Sequence, residues 1–141
     1  LRTHRSLLVR HTHEAVIADG DRLRKVMELL LENAVKYAPP GSQITLDVAE
    51  IDGEVQIGVN DDGPGIPEEW REKVFQPYAR RDTKTARGSG IGLFAARHET
   101  EAMGGRLWCE PAMMGGARFV LALPIARDGA RATRGAEDAA G

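Results

Sequence analysis

The sequence predicts an α+β fold, a two-layer α/β sandwich in which helices cover one face of a mixed, mostly antiparallel sheet. Two segments have the apolar spacing of amphipathic helices, one in the first third of the chain and one after residue 90. Each helical segment is followed by a pair of strand-like runs, and an Asp-Gly dipeptide typical of a tight hairpin joins the first pair. Helices and antiparallel strands in this order bury their apolar faces best as two layers.

The first helix is predicted from Asp21, a candidate N-cap, to about Tyr37. Its core-facing stripe has helical spacing and consists of Leu23, Val26, Met27, Leu30, Leu31, Ala34, Val35 and Ala38. Asn33 lies on the flank of this stripe; asparagine is a poor helix former, but its amide oxygen is a good ligand for a hard cation. The helix should end at Pro39-Pro40-Gly41.

Three strands are predicted in the first half of the chain. Leu7–Val9 is a short apolar run compatible with a strand. Residues 44–48 and 55–59 alternate apolar and polar side chains, as half-buried strands do. Because Asp52-Gly53 lies between these two runs, we expect them to pair as an antiparallel hairpin.

The second half of the chain is predicted to hold a second helix and two more strands. In order, the elements are a short helix (67–74), a mobile basic loop (76–88), a helix (91–103), and two strands (106–110 and 117–123) joined by a turn at 114–116. Proline and two acidic residues open the short helix, where a helix N-terminus favours them. A Gly-Gly pair closes the longer helix.

The composition is that of an ordinary globular domain. The chain has 141 residues, of which 42% are hydrophobic and 28% charged, and no apolar run approaches the length of a membrane span. Its formal net charge of -2 gives no electrostatic basis for binding nucleic acid. We expect one folded domain over residues 1–125 and a disordered tail over residues 126–141. Because residue 1 is leucine, we expect the sequence to be an excerpt of a longer protein.

Histidine and cysteine do not indicate a metal site. His11 and His13 are spaced by one residue, but His4 and His98 stand at no recognisable ligand spacing. We therefore interpret His11 and His13 as solvated loop side chains. The only cysteine, Cys109, lies in a strand-like stretch and is interpreted as a packed core thiol.

A polar, glycine-punctuated turn, Asn60–Pro67, follows the hairpin. Asp62 is predicted just past the sheet edge, where a ligand can reach it. Gly63 and Gly65 let the backbone approach that ligand without a Cβ in the way. Taken alone, an Asp-Gly pair is more typical of an ordinary turn. The rest of the sequence favours a ligand site.

Four features in order describe a nucleotide pocket: Asn33 with Lys36 on a helix flank, Asp62 in the turn, a basic loop after Phe75, and the glycine-rich segment 88–92. Glycines before a helix expose backbone amides at its positive end, a ready site for phosphate oxygens. A carboxylate accepts a hydrogen bond from an exocyclic amine such as that of adenine. An amide oxygen holds Mg²⁺, and basic side chains neutralise the remaining phosphate charge.

These stretches resemble the sequence boxes of a known family. The N box, first glycine box, F box and second glycine box of the catalytic ATP-binding domain of bacterial two-component sensor histidine kinases are similar, in that order, to residues 29–39, 62–67, 74–78 and 88–93. That domain belongs with the gyrase, Hsp90 and MutL ATPases and has the Bergerat ATP-binding fold. The resemblance covers roughly residues 18 to 124.

The resemblance implies a role for each matching residue at the base and metal end of the pocket. Asn33 would ligate Mg²⁺, and Lys36 and Tyr37 would contact the phosphates or the base of ATP. Asp62 would bind the adenine amino group and so select the nucleotide. The turn residues that would approach or line the adenine ring are Gly63, Gly65 and Ile66.

At the phosphate end, the resemblance makes Arg80 and Arg81 candidates for reaching the γ-phosphate. In the family, the loop after the F box forms a lid, to which Arg80 and Arg81 would belong. The residues assigned to the end of this lid and to the phosphate-facing start of the next helix are Gly88, Ser89, Gly90, Ile91, Gly92 and Leu93. Lys84 and Arg87 are interpreted as part of a solvated basic loop.

The sequence departs from the family pattern at two places. Family members that hydrolyse ATP carry a glutamate base one turn before the magnesium asparagine, where this chain has Leu29. We therefore expect weak intrinsic ATP hydrolysis. In the F box, residues 76–79 replace a more usual acidic, basic and aromatic run, which makes the lid geometry harder to predict.

The function implied is that of a protein histidine kinase catalytic domain. It would bind Mg-ATP and donate the γ-phosphate to a histidine on a dimerisation domain, for relay to a response regulator. His13-Glu14 superficially matches an acceptor context, but no long helical hairpin follows it, so the acceptor is expected upstream of this sequence. The isolated domain is expected to be cytoplasmic and monomeric. The parent protein is expected to be a homodimer. The sequence does not indicate whether the parent is anchored in a membrane.

Two alternatives remain open from the sequence. One is a serine kinase of the anti-sigma-factor type, which shares this domain and phosphorylates a separate protein. The other is a degenerate module that binds nucleotide or only scaffolds a partner.

Overall fold

The computed structural model describes residues 7–9, 20–78, 91–113 and 115–124. Its strands and helices are β1 (Leu7–Val9), α1 (Gly20–Tyr37), β2 (Ile44–Ile51), β3 (Glu54–Asp61), α2 (Gly92–Ala102), β4 (Arg106–Pro111) and β5 (Ala117–Pro124). The strands form one sheet in the order β1-β2-β3-β5-β4. Only the β1–β2 pair is parallel among these strands, so the predicted mixed, mostly antiparallel sheet is confirmed.

The predicted hairpin joins β2 and β3. Its turn residues Asp52 and Gly53 both have positive φ angles, 51° and 81°. Two successive positive φ angles match the right-handed twist of the flanking strands, which is why Asp-Gly is favoured there. The hairpin places the end of β3, Asp61, opposite Ile44 at the start of β2.

Helix α1 confirms the predicted helix and corrects its start. It begins at Gly20, so Asp21 lies in the first turn and is not the N-cap. The acidic side chain still favours this end of the helix, because the free N–H groups there carry partial positive charge. At the other end, Gly41 has a φ angle of 84°, which lets the chain turn back toward β2.

Both helices pack on the same face of the sheet, as predicted. The core cluster combines α1, α2, Phe75 and inward-facing residues of the four strands β2 to β5: Val26, Leu30, Ala34, Ile44, Val59, Phe75, Ala96, Leu107, Cys109, Ala117, Phe119, Leu121 and Leu123. Cys109 is buried, which confirms its interpretation as a core thiol. Because side chains alternate along a strand, Ile57, Val59 and Asp61 of β3 share this covered face.

The opposite face of the sheet holds a cross-strand polar network. Arg118 on β5 donates to both carboxylate oxygens of Asp47 on β2, at 2.7 and 3.1 Å, and to Oδ1 of Asn60 on β3 at 2.8 Å. Its guanidinium lies on the backbone of Gly58, where a Cβ would come within 2.1 Å of Nη1. This network ties the three central strands together on the side away from the helices.

The segment after the glycine-rich turn differs from the prediction of one short helix. It forms two separate 3₁₀ helices, Glu68–Trp70 and Lys73–Phe75. Neither has a side-chain N-cap. A single turn gains few backbone hydrogen bonds, so packing of Phe75 into the core decides its geometry.

Several predictions fall on residues outside the described ranges. These are the basic loop beyond Tyr78, the tail after residue 125, and the histidine pair at 11 and 13. Within the described ranges, no helix is both long enough and apolar enough to span a bilayer.

Candidate functional site

Helix α1 brings the two predicted ends of the site together. A Cβ built on Gly63 would lie 3.0 Å from Cδ of Pro39, so the glycine-rich turn contacts the C-terminal end of α1. A Cβ built on Gly92 would lie 4.0 Å from Cδ2 of Leu29, so the start of α2 contacts the middle of α1. Asn33 is one helical turn beyond Leu29. It therefore lies between the turn and the start of α2.

Asn33 has the exposure expected of a ligand-binding side chain. It is half-buried, whereas Ala34 beside it is buried in the core. No group in the described part of the chain hydrogen-bonds to the Asn33 amide. Described His, Cys, Asp and Glu side chains form no cluster of three that would hold a metal ion. An amide oxygen is of the type that hard cations accept as a ligand.

Asp61, which the sequence prediction did not select, ends β3 on the face covered by the helices. It is half-buried, and its Oδ1 accepts hydrogen bonds from the backbone N–H of Gly63 at 2.9 Å and of Ala117 at 3.2 Å. None of the described residues donates to Oδ2. The side chain thus holds one oxygen fixed and leaves the other available.

Asp62, the predicted adenine contact, lies one residue beyond the strand and is exposed. Its Oδ1 accepts from the backbone N–H of Gln43 at 2.9 Å, which ties the turn to the start of β2. Strand alternation explains why the two aspartates differ: Asp61 continues the row of Ile57 and Val59, and Asp62 does not.

The predicted turn residues lie close to a second turn, the one between β4 and β5. Gly65 has a φ angle of 78°, and a Cβ there would lie 3.4 Å from the carbonyl oxygen of Gly115 in the β4–β5 turn. Ile66 is half-buried and packs against the hydrophobic core, and its predicted contact with the adenine ring stays a prediction. Its carbonyl accepts from Nε of Arg71 at 3.3 Å.

The start of α2 has the form expected of a phosphate site. Ile91 is the N-cap, with no side-chain capping hydrogen bond in the described part of the chain. Its carbonyl accepts the first helical bond, from Ala95 N–H at 2.8 Å. Uncapped N–H groups at a helix start favour anions. Gly92 and Leu93 follow, half-buried, whereas the predicted residues Gly88, Ser89 and Gly90 lie outside the described ranges.

Of the predicted basic residues, only Lys36 lies within the described ranges. Lys36 is exposed on α1, with Nζ 5.9 Å from the ring centroid of the exposed Tyr37. Both are near the Asn33 turn of the helix, on the solvent side. Arg80 and Arg81 lie outside the described ranges, and their roles stay predictions.

Arg97 on α2 is a further residue that sequence reasoning missed. Its guanidinium lies 4.0 Å from the ring centroid of Phe75, pairs with both carboxylate oxygens of Glu72, and donates to the carbonyl of Leu107 at 3.0 Å. It therefore joins the second 3₁₀ helix, α2 and β4. The sequence feature that could have identified it is an arginine next to the buried Ala96, at a position of α2 that faces the core.

Phe75, the phenylalanine of the predicted F box, is buried in the core. Its ring packs edge-on against Phe119, with centroids 6.0 Å apart. Phe119 is paired with Val59 in the sheet, two residues before Asp61. The segment that leads toward Arg80 and Arg81 is thus anchored on the strands that carry the site.

Cys109 is buried in the core near Asp61 and Arg71, and its thiol is unreactive. Burial raises the pKa of its thiol from 9.0 to about 12; Arg71 opposes this shift, and the carboxylates of Asp61 and Glu110 add to it. A thiol with so high a pKa is protonated at neutral pH and is a poor nucleophile.

Comparison with known sequences places these features in one family. The family model described as "Histidine kinase-, DNA gyrase B-, and HSP90-like ATPase" matches residues 18–127. The adaptive-response sensory kinase SasA of Synechococcus sp. (strain JA-2-3B'a(2-13)) is 40% identical over 116 residues, which are 80% of this chain and 30% of the relative. SasA of Nostoc sp. (strain PCC 7120 / SAG 25.82 / UTEX 2576) is 38% identical over 112 residues, 78% of this chain and 28% of the relative. The chain spans less than a third of the length of these relatives.

Solved structures agree in fold and extent. The mycobacterial sensor histidine kinase MprB superposes with a TM-score of 0.76 at 30% identity, over 86% of this chain and 82% of that chain. Full-length ShkA in complex with AMPPNP gives 0.72 at 29% identity, over 86% and 25%. The catalytic domain of histidine kinase ThkA gives 0.71 at 29% identity, over 85% and 77%. The chain therefore belongs to the family of histidine kinase-, DNA gyrase B- and HSP90-like ATPases, and within it to the ATP-binding catalytic domains of sensor histidine kinases.

Proposed function

We propose that this chain binds Mg-ATP and presents the γ-phosphate to a histidine on an acceptor domain of the same parent protein, for relay to a response regulator. The observation that carries the proposal is the arrangement along α1. The glycine-rich turn contacts one end of the Asn33 region, and the start of α2, which has no side-chain cap among the described residues, contacts the other. This arrangement suits a base at the turn, phosphates at α2 and a metal ion between them.

For the base, the geometry favours Asp61 over the predicted Asp62. The Asp61 carboxylate is half-buried on the helix-covered face, and its Oδ1 is fixed by two backbone donors. Its Oδ2, without a donor among the described residues, suits the exocyclic amine of adenine. Asp62 is exposed and is used to anchor Gln43. We therefore assign base selection to Asp61 and a turn-anchoring role to Asp62.

For the phosphates and the metal ion, the donors fit the chemistry of Mg-ATP. The amide oxygen of Asn33 suits Mg²⁺, which usually takes one or two protein oxygens together with phosphate oxygens and water. The N–H groups at the start of α2 suit phosphate oxygens. Lys36 adds positive charge from α1, and Arg80 and Arg81 are proposed to do so from the loop after Phe75.

Catalysis by such a site is mostly positioning and charge neutralisation, because phosphoryl transfer needs little covalent help from the protein. The bound metal ion would neutralise phosphate charge as it develops. The residues of this chain would hold the nucleotide by its base and leave the γ-phosphate facing outward. The nucleophile, a histidine, is proposed to come from the acceptor domain, which in a homodimeric parent is held close to this domain.

The proposal is tested by phosphorylating a longer protein that carries the upstream sequence, using γ-labelled ATP. We expect label on histidine, which is lost in acid and retained in alkali. Acid-stable label on a separate protein would instead identify a serine kinase of the anti-sigma-factor type. A folded dimer that binds ATP and takes up no label would support a scaffold role and overturn the proposal. An Asn33→Ala variant is the control for transfer that depends on this site.

ATP and response regulators are found in the cytoplasm, so we propose that this domain works there. Its net charge of -2 supports no role for nucleic acid as a partner.

A further inference from the structure

We propose that the turn between β4 and β5 positions the base-reading carboxylate of Asp61, and that Gly116 is the residue that permits the contact. The role rests on the proposed function of Asp61. The turn is far from Asp61 in sequence but adjacent in space, because β3 and β5 are neighbours in the sheet.

Two backbone donors act on the same oxygen of Asp61. Gly63 N–H comes from the glycine-rich turn at 2.9 Å, and Ala117 N–H comes from the first residue of β5 at 3.2 Å. Hydrogen bonds to a carboxylate are among the stronger ones in proteins. With Oδ1 held from two sides, the plane of the carboxylate is fixed and Oδ2 keeps one direction. The base then meets a preorganised acceptor.

Gly116 lets β5 approach this closely. A Cβ at Gly116 would lie 2.1 Å from the carbonyl oxygen of Asp61 and 2.3 Å from its Oδ1. Both distances are far below van der Waals contact, and the first is to backbone, which cannot rotate away. Any side chain at Gly116 must therefore push Asp61 and the start of β5 apart. Gly65 and Gly115 make a second close approach between the same two turns, at 3.4 Å from the Cβ position of Gly65.

The test compares ATP with a purine nucleoside triphosphate that lacks the 6-amino group. We expect Gly116→Ala to weaken ATP binding about tenfold, roughly the loss of one charge-assisted hydrogen bond. Affinity for the triphosphate without the amino group should stay unchanged, because that nucleotide makes no bond to Oδ2. Met113→Ala, a change at a fully exposed residue of the same turn, is the matched control and should leave both affinities unchanged.

A double-mutant cycle then separates positioning from general damage. If Gly116 acts through Asp61, adding Gly116→Ala to Asp61→Asn should cost little further ATP affinity. An additive loss, or an equal loss of both nucleotides, would overturn the positioning role. Thermal unfolding of each variant without nucleotide checks that the fold is retained.

A second variant decides the matter if Gly116→Ala does not fold. Replacing the Gly116–Ala117 amide by an ester removes the N–H donor and adds no atoms at Gly116; it also weakens the Gly116 carbonyl as the acceptor of the Ala112 N–H, a bond within the turn that does not involve Asp61. It should weaken ATP binding and spare the triphosphate without the amino group. If Asp61→Asn weakens ATP but neither turn variant does, the positioning role fails alone. If Asp61→Asn also leaves ATP affinity unchanged, the assigned function of Asp61 fails.

Discussion

A leucine occupies the position one helical turn before Asn33. Leu29 is half-buried against the core and contacts the Cβ position of Gly92, so it separates α1 from the start of α2 and cannot activate water. The neighbouring carboxylates, Glu28 and Glu32, are both exposed. The described part of the pocket thus has an apolar residue where a general base would be needed for hydrolysis.

We therefore predict that the isolated domain binds Mg-ATP but hydrolyses it slowly. A steady-state assay with excess Mg-ATP should give turnover far below the roughly 1–10³ s⁻¹ typical of enzymes. Asn33→Ala measures the background from contaminating ATPases. Turnover within the typical range that is lost in Asn33→Ala would contradict the prediction.

Cys109 gives a prediction about alkaline stability. Because burial raises the pKa of the folded thiol to about 12, the folded state keeps its proton when the unfolded state, with a pKa of 9.0, loses it. The contribution of the thiol is fully present below pH 9 and is lost as the pH rises toward 12. The free energy of unfolding should fall by up to about 1.4 kcal/mol per pH unit in that window.

Urea unfolding at several pH values between 8 and 11 measures this loss. Other groups titrate in the same range, so the informative quantity is the difference in slope between wild type and Cys109→Ala. The alanine variant should be less stable throughout but should depend less steeply on pH. Equal slopes would show that the thiol is not protected from ionisation.

At the residue scale, the proposed reassignment of base selection from Asp62 to Asp61 depends on side-chain geometry that the sequence pattern does not give. The sequence predicts the turn and its glycines, but the alternating pattern before the turn ends at Val59, whereas β3 continues to Asp61. A shift of one residue exchanges the two faces of a strand. The choice between two adjacent aspartates therefore depended on a strand boundary, which sequence patterns locate least well.

At the scale of elements, Arg97 and Glu72 form a clamp that holds the second 3₁₀ helix against α2 and β4. We expect substitutions of Arg97 and of Glu72 to destabilise the fold unequally. Arg97 is mostly buried, stacks on Phe75 and satisfies the carbonyl of Leu107 on β4. Glu72 is largely exposed. We expect Arg97→Ala to cost about 1–3 kcal/mol of unfolding free energy, because it leaves a carbonyl without its donor. Glu72→Gln should cost less than about 1 kcal/mol.

Acid unfolding supplies the second readout for this clamp. The hydrogen bond from Arg97 holds the pKa of Glu72 below its ordinary value of 4.5, so the pair stabilises the fold above that pH. The contribution is lost as the pH falls through the folded pKa. Glu72→Gln should remove this acid dependence, and urea unfolding between pH 3 and 7 measures it. Equal destabilisation by Arg97→Ala and Glu72→Gln would refute the clamp.

Elements with many repeats of a pattern were predictable, and those without were not. Helix α1 carries five turns of apolar spacing, and the β2–β3 hairpin carries both alternation and a turn signal. Residues 67–75 offer too few positions to show a period, so the sequence predicts one helix where the structure has two 3₁₀ turns. Their geometry is set by tertiary contacts of Phe75 and Arg97, which local patterns do not encode.

At the scale of the whole molecule, the site joins segments that are distant in sequence. The contact between Asp61 and Ala117 spans 56 residues of sequence. Gly92 at the start of α2 likewise contacts Leu29 in the middle of α1. The family resemblance predicted which segments take part in the site. It did not predict the support from the β4–β5 turn, because a backbone N–H donor leaves no signature in side-chain identity.

A site assembled from several elements should couple nucleotide binding to the stability of the entire domain. A ligand that binds only the folded state stabilises it by about 2.7 kcal/mol when its concentration is a hundredfold above the dissociation constant. For a domain of this size, that free energy corresponds to a rise in Tm of roughly 10 °C. We predict a rise of this order with Mg-ATP at such a concentration, measured by differential scanning calorimetry.

The rise in Tm with Mg-ATP should differ between variants of the two aspartates, because only Asp61 is proposed to bind the base. A tenfold loss of affinity in Asp61→Asn lowers the linked stabilisation to about 1.4 kcal/mol at the same ATP concentration, so the rise in Tm should fall to about half. Asp62→Asn is the matched comparison, since it removes the same charge from the adjacent residue. Its Tm without nucleotide should drop slightly, because the N–H of Gln43 loses a charged acceptor. Its rise in Tm with ATP should match that of wild type. The opposite result, a halved rise in Asp62→Asn and a full rise in Asp61→Asn, would overturn the assignment to Asp61 and return base selection to the exposed aspartate.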